Sequence, residues 1–255
     1  MSTTEVRTER VGSALLITID RPQARNAVNA AVAAGLATAV DELESDPTLR
    51  VGVLTGAEGT FGAGMDLKAA LRGESPEIPG RGFGGIAETE TTKPLIAAVE
   101  GWAAGGGFEL ALACDLIVAA EDARFALPEV KRGLIAAGGG AIRLPQRVPH
   151  HIAMELLLTG EPIDGRRAAE LGLVNRVAAT GEAAAVALRL AERIADNAPL
   201  ALAAVKKIVR AAGGLSEADA FALQRKEMAV LMTSADVREG MTAFAERRAP
   251  QWTGK

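Results

Sequence analysis

The stretch Ala103-Ala104-Gly105-Gly106-Gly107-Phe108-Glu109 decides how this chain is read. Three consecutive glycines lead into the apolar run Leu110-Ala111-Leu112-Ala113, so a helix starts here with its first backbone N–H groups bare. Bare donors point at something negative, and a carboxylate, Glu109, follows one helical turn on. Together they suit stabilisation of an oxyanion beside an acid/base group. The same glycines also suit close strand–helix packing, and the stretch alone leaves both readings open.

Outward from it, short β-rich runs alternate with helical patterns. Leu95-Ile96-Ala97-Ala98-Val99 precedes the glycines and Leu116-Ile117-Val118-Ala119 follows them; Leu15-Leu16-Ile17-Thr18-Ile19 and Val51-Gly52-Val53-Leu54-Thr55 are similar. These runs are continuous rather than alternating, as strands covered on both faces should be. Between the first two in chain order, Asn29 suits an N-cap, and Val32, Leu36, Val40 and Leu43 recur at helical spacing. The pattern is α/β. After Leu173-Val174-Asn175-Arg176-Val177 only helical patterns remain, over 182–196, 199–212, 216–232 and 236–248. The last three make a thin core, which predicts packing on the rest of the chain or on a neighbouring subunit. Residues 73–85, with Pro76, Pro79 and several glycines, read as a mobile loop.

Composition excludes several classes. A net charge of −4 argues against a nucleic-acid binder held by a basic field. No apolar run approaches membrane-spanning length, and Met1-Ser2-Thr3-Thr4-Glu5 lacks the pattern of a signal peptide, so a soluble cytoplasmic chain is expected. The single cysteine, Cys114, excludes an internal disulfide and a cysteine-cluster metal site, and its apolar setting predicts inert packing. His150-His151 has no acidic partners at metal spacing, which predicts no metal ligand role. Lys206-Lys207, Arg247-Arg248 and Lys255 read as solvated faces and Trp102 as packing.

Two further stretches carry chemistry. In Phe61-Gly62-Ala63-Gly64-Met65-Asp66-Leu67-Lys68, glycines follow a strand and Asp66 opens a helix; either the Met65 N–H points outward or this is a tight turn with an acidic cap. In Phe125-Ala126-Leu127-Pro128-Glu129-Val130, the Pro-Glu pair is a second acid candidate or a favourable helix start.

In order and spacing these stretches resemble the crotonase family, the enoyl-CoA hydratases and isomerases, over nearly the whole chain. The resemblance begins with Asp20-Arg21-Pro22-Gln23-Ala24-Arg25-Asn26-Ala27, similar to the family's first CoA-binding loop. It continues through Ala63-Gly64-Met65-Asp66-Leu67, the Gly101-to-Glu109 run, Cys114-Asp115 and Phe125-to-Glu129, and ends with Arg238-Glu239-Gly240-Met241-Thr242-Ala243-Phe244. It implies a spiral of β-β-α units over 1–195 and a helical oligomerisation region over 196–255. It further implies that the N–H groups of Met65 and Gly106 bind a thioester oxygen, and that Glu109 and Glu129 hold the water that adds across an enoyl double bond. Gln23, Ala24, Arg25, Ala27, Ala63, Gly64, Asp66, Leu67, Gly105 and Phe244 would contact substrate or CoA.

The implied activity is hydration of a trans-2-enoyl-CoA to a 3-hydroxyacyl-CoA. No metal or redox cofactor is implied, coenzyme A being part of the substrate, and the implied assembly is a homotrimer or a dimer of trimers. An isomerase, or a dehydratase on a specialised acyl-CoA, is the alternative among enzymes. A silent acyl-CoA-binding or RNA-associated scaffold is the alternative outside them, but a scaffold needs no second glutamate and an RNA partner calls for a basic surface. Met65, Phe108 and Ala136 depart from residues common in the family and bear on the acyl wall more than on the reaction.

Overall fold

The computed structural model describes residues 5–255; residues 1–4, on which most of the expectation about a signal peptide falls, lie outside the described residues. In chain order the strands are β1 (Val6–Val11), β2 (Ala14–Ile19), β3 (Val51–Gly56), β4 (Glu77–Ile78), β5 (Gly82–Phe83), β6 (Leu95–Val99), β7 (Trp102–Ala104), β8 (Leu116–Ala120), β9 (Arg124–Ala126), β10 (Ile163–Asp164) and β11 (Arg176–Ala178). The helices are α1 (Ala30–Ser45), α2 (Leu67–Leu71), α3 (Gly106–Ala113), α4 (Gly140–Arg147), α5 (His150–Thr159), α6 (Gly165–Glu170), α7 (Ala183–Ala195), α8 (Pro199–Ala212), α9 (Glu217–Met232) and α10 (Ala235–Glu246).

The main sheet runs β1-β2-β3-β6-β8-β11, parallel throughout except for the antiparallel edge strand β1. Its inner strands read as unbroken apolar runs because both faces are covered. Leu15, Ile17, Leu54, Ala97, Val99 and Ile117 meet α1 and α3 on one side. Val51, Val53, Ile96, Ala98 and Val118 meet Ala183, Ala187 and Ala191 of α7 on the other. Alanines spaced four apart let that helix lie close to the sheet. Asn29 caps α1 as expected, its Oδ1 accepting from Val32 N at 2.9 Å.

A second sheet, β10-β9-β7, leads straight into the functional region, β7 pairing in parallel with β9. Its strands are too short for periodicity to reveal, and β1 was hidden by a polar, largely exposed sequence, VRTERV. The reading of 73–85 as a mobile loop is corrected. The segment contains the hairpin β4/β5, and Gly80, Gly82, Gly84 and Gly85 all take positive φ to turn it. Phe83 and Ile86 are buried in the core.

α8 is fastened to the core by Lys206, whose Nζ donates to Thr91 Oγ1, Lys93 O and Asp115 Oδ2 at 2.6–2.7 Å. The expectation that Lys206 belongs to a solvated face is therefore corrected: it is a buried, fully partnered cation. α9 buries none of its residues within the chain and exposes Phe221, Met228, Val230 and Met232. Among the described residues no helix is long and apolar enough to cross a membrane, and no cluster of His, Cys, Asp and Glu could hold a metal ion. Cys114 is buried, and burial pushes its thiol up to about 12, so it stays a neutral packing group.

Candidate active site

Three backbone segments converge. Residue 62 pairs in parallel with β7, Gly62 N donating to Trp102 O and Ala104 N to Gly62 O at 2.8–2.9 Å. One step further, Val28 N donates to Gly64 O at 2.8 Å and Asp66 N to Val28 O at 2.9 Å. Alternation along this extended segment turns the intervening Met65 N–H away from Val28. A Cβ built on Gly64 would stand 2.7 Å from Ala104 O and 2.9 Å from Gly106 N, so the Met65 segment lies against the start of α3. Gly106 is the first residue of α3, where an N–H has no intrahelical acceptor. Among the described residues neither the Met65 nor the Gly106 N–H has a backbone acceptor. The packing alternative for the glycines holds as well, since a Cβ on Gly107 would come within 2.2 Å of Gly62 O.

Glu109 is 4% exposed, and its Oε1 accepts from Gly140 N at 2.8 Å. Cβ atoms on Gly138 and Gly140 would stand 2.8 Å from its Oε2 and 3.1 Å from its Oε1, so only bare backbone can surround this carboxyl. Burial, reinforced by the nearby Glu129, pushes Glu109 up to about 7, against the opposing pull of the Gly138 and Gly140 backbone and the Arg143 guanidinium.

Glu129 opens the 3-10 turn Pro128–Arg132 behind Pro128. A Cβ on Gly105 would stand 3.1 Å from its Oε1, which places the second carboxyl over the glycine run. Its Oε2 is buried without a hydrogen-bond partner, and burial raises its pKa above the usual carboxylate range. The donors at Glu109 favour its ionised form, while the orphaned Oε2 of Glu129 favours a proton there.

A cavity of about 510 Å³ opens beside this centre, its lining including Arg25, Ala63, Trp102, Ala104, Pro128 and Arg132. Ala63, Ala104 and Pro128 adjoin Gly64, Gly105 and Glu129 in sequence, so the cavity runs alongside these segments, although neither glutamate lines it. Gln23 and Ala24 form the 3-10 turn Pro22–Ala24 next to it. Arg25 and Asn26 follow with φ 52 and 55, a left-handed pair held by buried Asn26, whose Nδ2 donates to Ala57 O at 2.9 Å and Thr60 O at 2.6 Å. Ala27 is buried, and its carbonyl accepts from Arg21.

Not every expected residue joins the site. Asp66 caps α2, accepting from Ala69 N at 3.0 Å, and pairs with Arg21 at 3.1 Å, so its carboxylate is spent on structure. Leu67 is the partly exposed first residue of that helix. Phe244, 88% exposed on α10, lines a separate apolar depression with Met228, Met241 and Trp252 and shares no cavity with the glutamates within this chain. Sequence reading missed Phe83, whose ring lies where a Cβ on Gly106 would come within 2.3 Å, and Arg143, which donates to Gly138 O at 3.2 Å. Neither sits in a motif, and only the fold brings them to the glutamates.

The chain belongs to the enoyl-CoA hydratase/isomerase family, whose sequence profile matches residues 9–255. It is an enzyme of the enoyl-CoA hydratase kind with the crotonase fold. Its structure is similar to that of an enoyl-CoA hydratase from Mycobacterium tuberculosis H37Rv, with 55% identity, a TM-score of 0.97 and coverage of 99% of this chain and 100% of that one. A carnitinyl-CoA hydratase from Mycobacterium avium is 46% identical, with a TM-score of 0.79 and full coverage of both chains. By sequence, a carnitinyl-CoA dehydratase from Proteus mirabilis is 44% identical over 252 residues, 96% of each chain.

Proposed function

We propose that the protein hydrates a trans-2-enoyl-CoA to the 3-hydroxyacyl-CoA. The observation that carries this reading is a buried carboxyl and a half-buried one set around a run of bare backbone donors. As water oxygen bonds to C3, Glu109 takes the departing water proton, and the π electrons move onto the thioester oxygen held by the N–H groups of Met65 and Gly106. The enolate then collapses, and C2 takes the proton of Glu129. The pair ends with its proton on the other carboxyl, and exchange restores it. The same atoms run the reverse dehydration, which is where the carnitinyl-CoA relatives bear on the reading.

The test is kcat/KM for uncharged enoyl-CoAs of graded length against the dehydrated carnitinyl-CoA, followed by the fading absorbance of the conjugated thioester. Preference for the uncharged series supports the reading; exclusive use of the cationic thioester would reassign the chain to carnitinyl chemistry. The exposed apolar residues of α8 and α9, Val205, Val209, Phe221 and Met228 among them, support assembly as a homotrimer or a dimer of trimers.

Arg25, exposed at the cavity mouth beside Ala63, is suited to the CoA moiety. Arg25→Ala should raise KM several-fold and leave kcat nearly unchanged, because contacts remote from the reacting carbons bind ground and transition states alike. An unaltered KM in steady-state assays would remove Arg25 from the site.

The pH profile has a defined sign. Glu109 acts as a base only when ionised, so kcat/KM should climb through an acid limb near pH 7, where this buried carboxyl titrates. The mechanism also needs one proton on the pair, so the rate should fall again when that last proton is lost, the two limbs belonging to the pair rather than to either group. The raised Glu109 also destabilises the fold progressively as pH rises from its unfolded value of 4.5 through about 7. Glu109→Gln should therefore gain relative thermal stability across that interval.

A further inference from the structure

Arg143 on α4 is half-buried, with donors committed to two different segments. Nη1 donates to Gly138 O at 3.2 Å, and Nη2 donates to the carbonyl of Ala87, just beyond β5. The guanidinium thus ties the Gly138–Gly140 loop to the wall segment that carries Phe83. The tied loop touches both Glu109 and Phe83. Gly140 N donates to Glu109 Oε1 at 2.8 Å, and a Cβ on Gly138 would stand 2.8 Å from Glu109 Oε2 and 3.2 Å from Phe83 Cβ. Gly139 is fitted to the arrangement: it has φ +106, and a Cβ there would fall 2.0 Å from Arg143 Nη1.

We propose that Arg143 is a positioning residue of the hydration, holding the glycine loop that orients Glu109 and keeping a positive charge beside that carboxylate. The role rests on the hydration reading above. A planar fork suits it, since two carbonyls of separate segments are bridged at once. The charged and titratable groups around Arg143 are Glu109 on α3, Glu88 after β5, Arg147 on its own helix and Arg210 on α8, with Cys114 at the end of α3. Glu109 in turn faces Glu129 and Arg143.

The experiment compares Arg143→Met and Arg143→Lys in the full-length enzyme, each checked by circular dichroism and oligomer size. Arg143→Met should lower kcat by about ten- to a hundred-fold, the scale of a slight misplacement of a reacting group, with KM little changed. Its acid limb should move to higher pH, because a neighbouring cation no longer favours ionised Glu109. Arg143→Lys keeps the charge but not the fork, so its limb should stay in place while kcat falls less. In a Glu109→Gln background, Arg143→Met should add little further loss, as groups that act through one another are non-additive.

Wild-type kcat and an unmoved limb in folded Arg143→Met would overturn the role. So would equal losses in both variants with the limb in place, which is what packing damage alone gives, or an undiminished loss in the Glu109→Gln background. Should Arg143→Met not fold, Arg143→Lys decides: a lower kcat whose loss largely disappears in the Glu109→Gln background supports the role, and wild-type kcat, or a loss undiminished in that background, refutes it. If the unaltered enzyme hydrates no enoyl-CoA, the hydration reading itself fails, and this role with it.

Discussion

Glu129→Gln is expected to reduce enoyl-CoA hydration by at least about a hundred-fold while acyl-CoA affinity changes little. Glutamine keeps the size and shape of the side chain over Gly105 but has no proton to give C2. Glu109→Gln should cost as much. There the amide oxygen can still accept from Gly140 N, so the carboxyl's place is kept and only its basicity is lost. Because one water lies between both groups in this mechanism, the double variant should be scarcely slower than the poorer single one. Measured kcat for the three proteins checks this; strictly multiplicative losses would mean that the two carboxyls act in separate steps.

Removing the Gly106 N–H should have an effect of similar size, about a hundred- to a thousand-fold in kcat, the usual cost of one oxyanion-binding donor. Gly106 is the first residue of α3, where proline is tolerated by the helix. The obstacle is Phe83, since any Cβ at 106 would come within 2.3 Å of its ring. The comparison therefore belongs in a Phe83→Ala background, with Gly106→Ala keeping the N–H and Gly106→Pro deleting it. The alanine form should retain most activity and the proline form lose it. Equal activity in the two would reduce the glycines to packing.

The parts that sequence made legible share a physical property: their signal is local. Apolar runs buried on both faces announced β2, β3, β6 and β8, and the oxygen-bearing Asn29 announced the start of α1. Glu109, Glu129 and the three glycines stood out because a glycine run and two acids interrupt otherwise apolar sequence. What stayed hidden depends on contacts between distant segments. Phe83 was masked by prolines and glycines that signal a loop, although those glycines turn a hairpin whose second strand buries Phe83 in the core. Lys206 looked like half of a solvated pair until Asp115, Thr91 and the Lys93 carbonyl surrounded it. Asp66 fits the acidic position of a recognisable motif, yet its oxygens serve Ala69 N and Arg21. A motif tells which residue is present; the hydrogen bonds tell what it is free to do.

Incubation of the protein with crotonyl-CoA in deuterium oxide, followed by mass and NMR analysis of the thioester, tests the central claim most directly. The two-carboxyl mechanism predicts 3-hydroxybutyryl-CoA carrying one deuterium at C2, formed as the enoyl absorbance fades and abolished in Glu129→Gln. Deuterium entering C2 without any 3-hydroxy product, or wild-type hydration in Glu129→Gln, would contradict it.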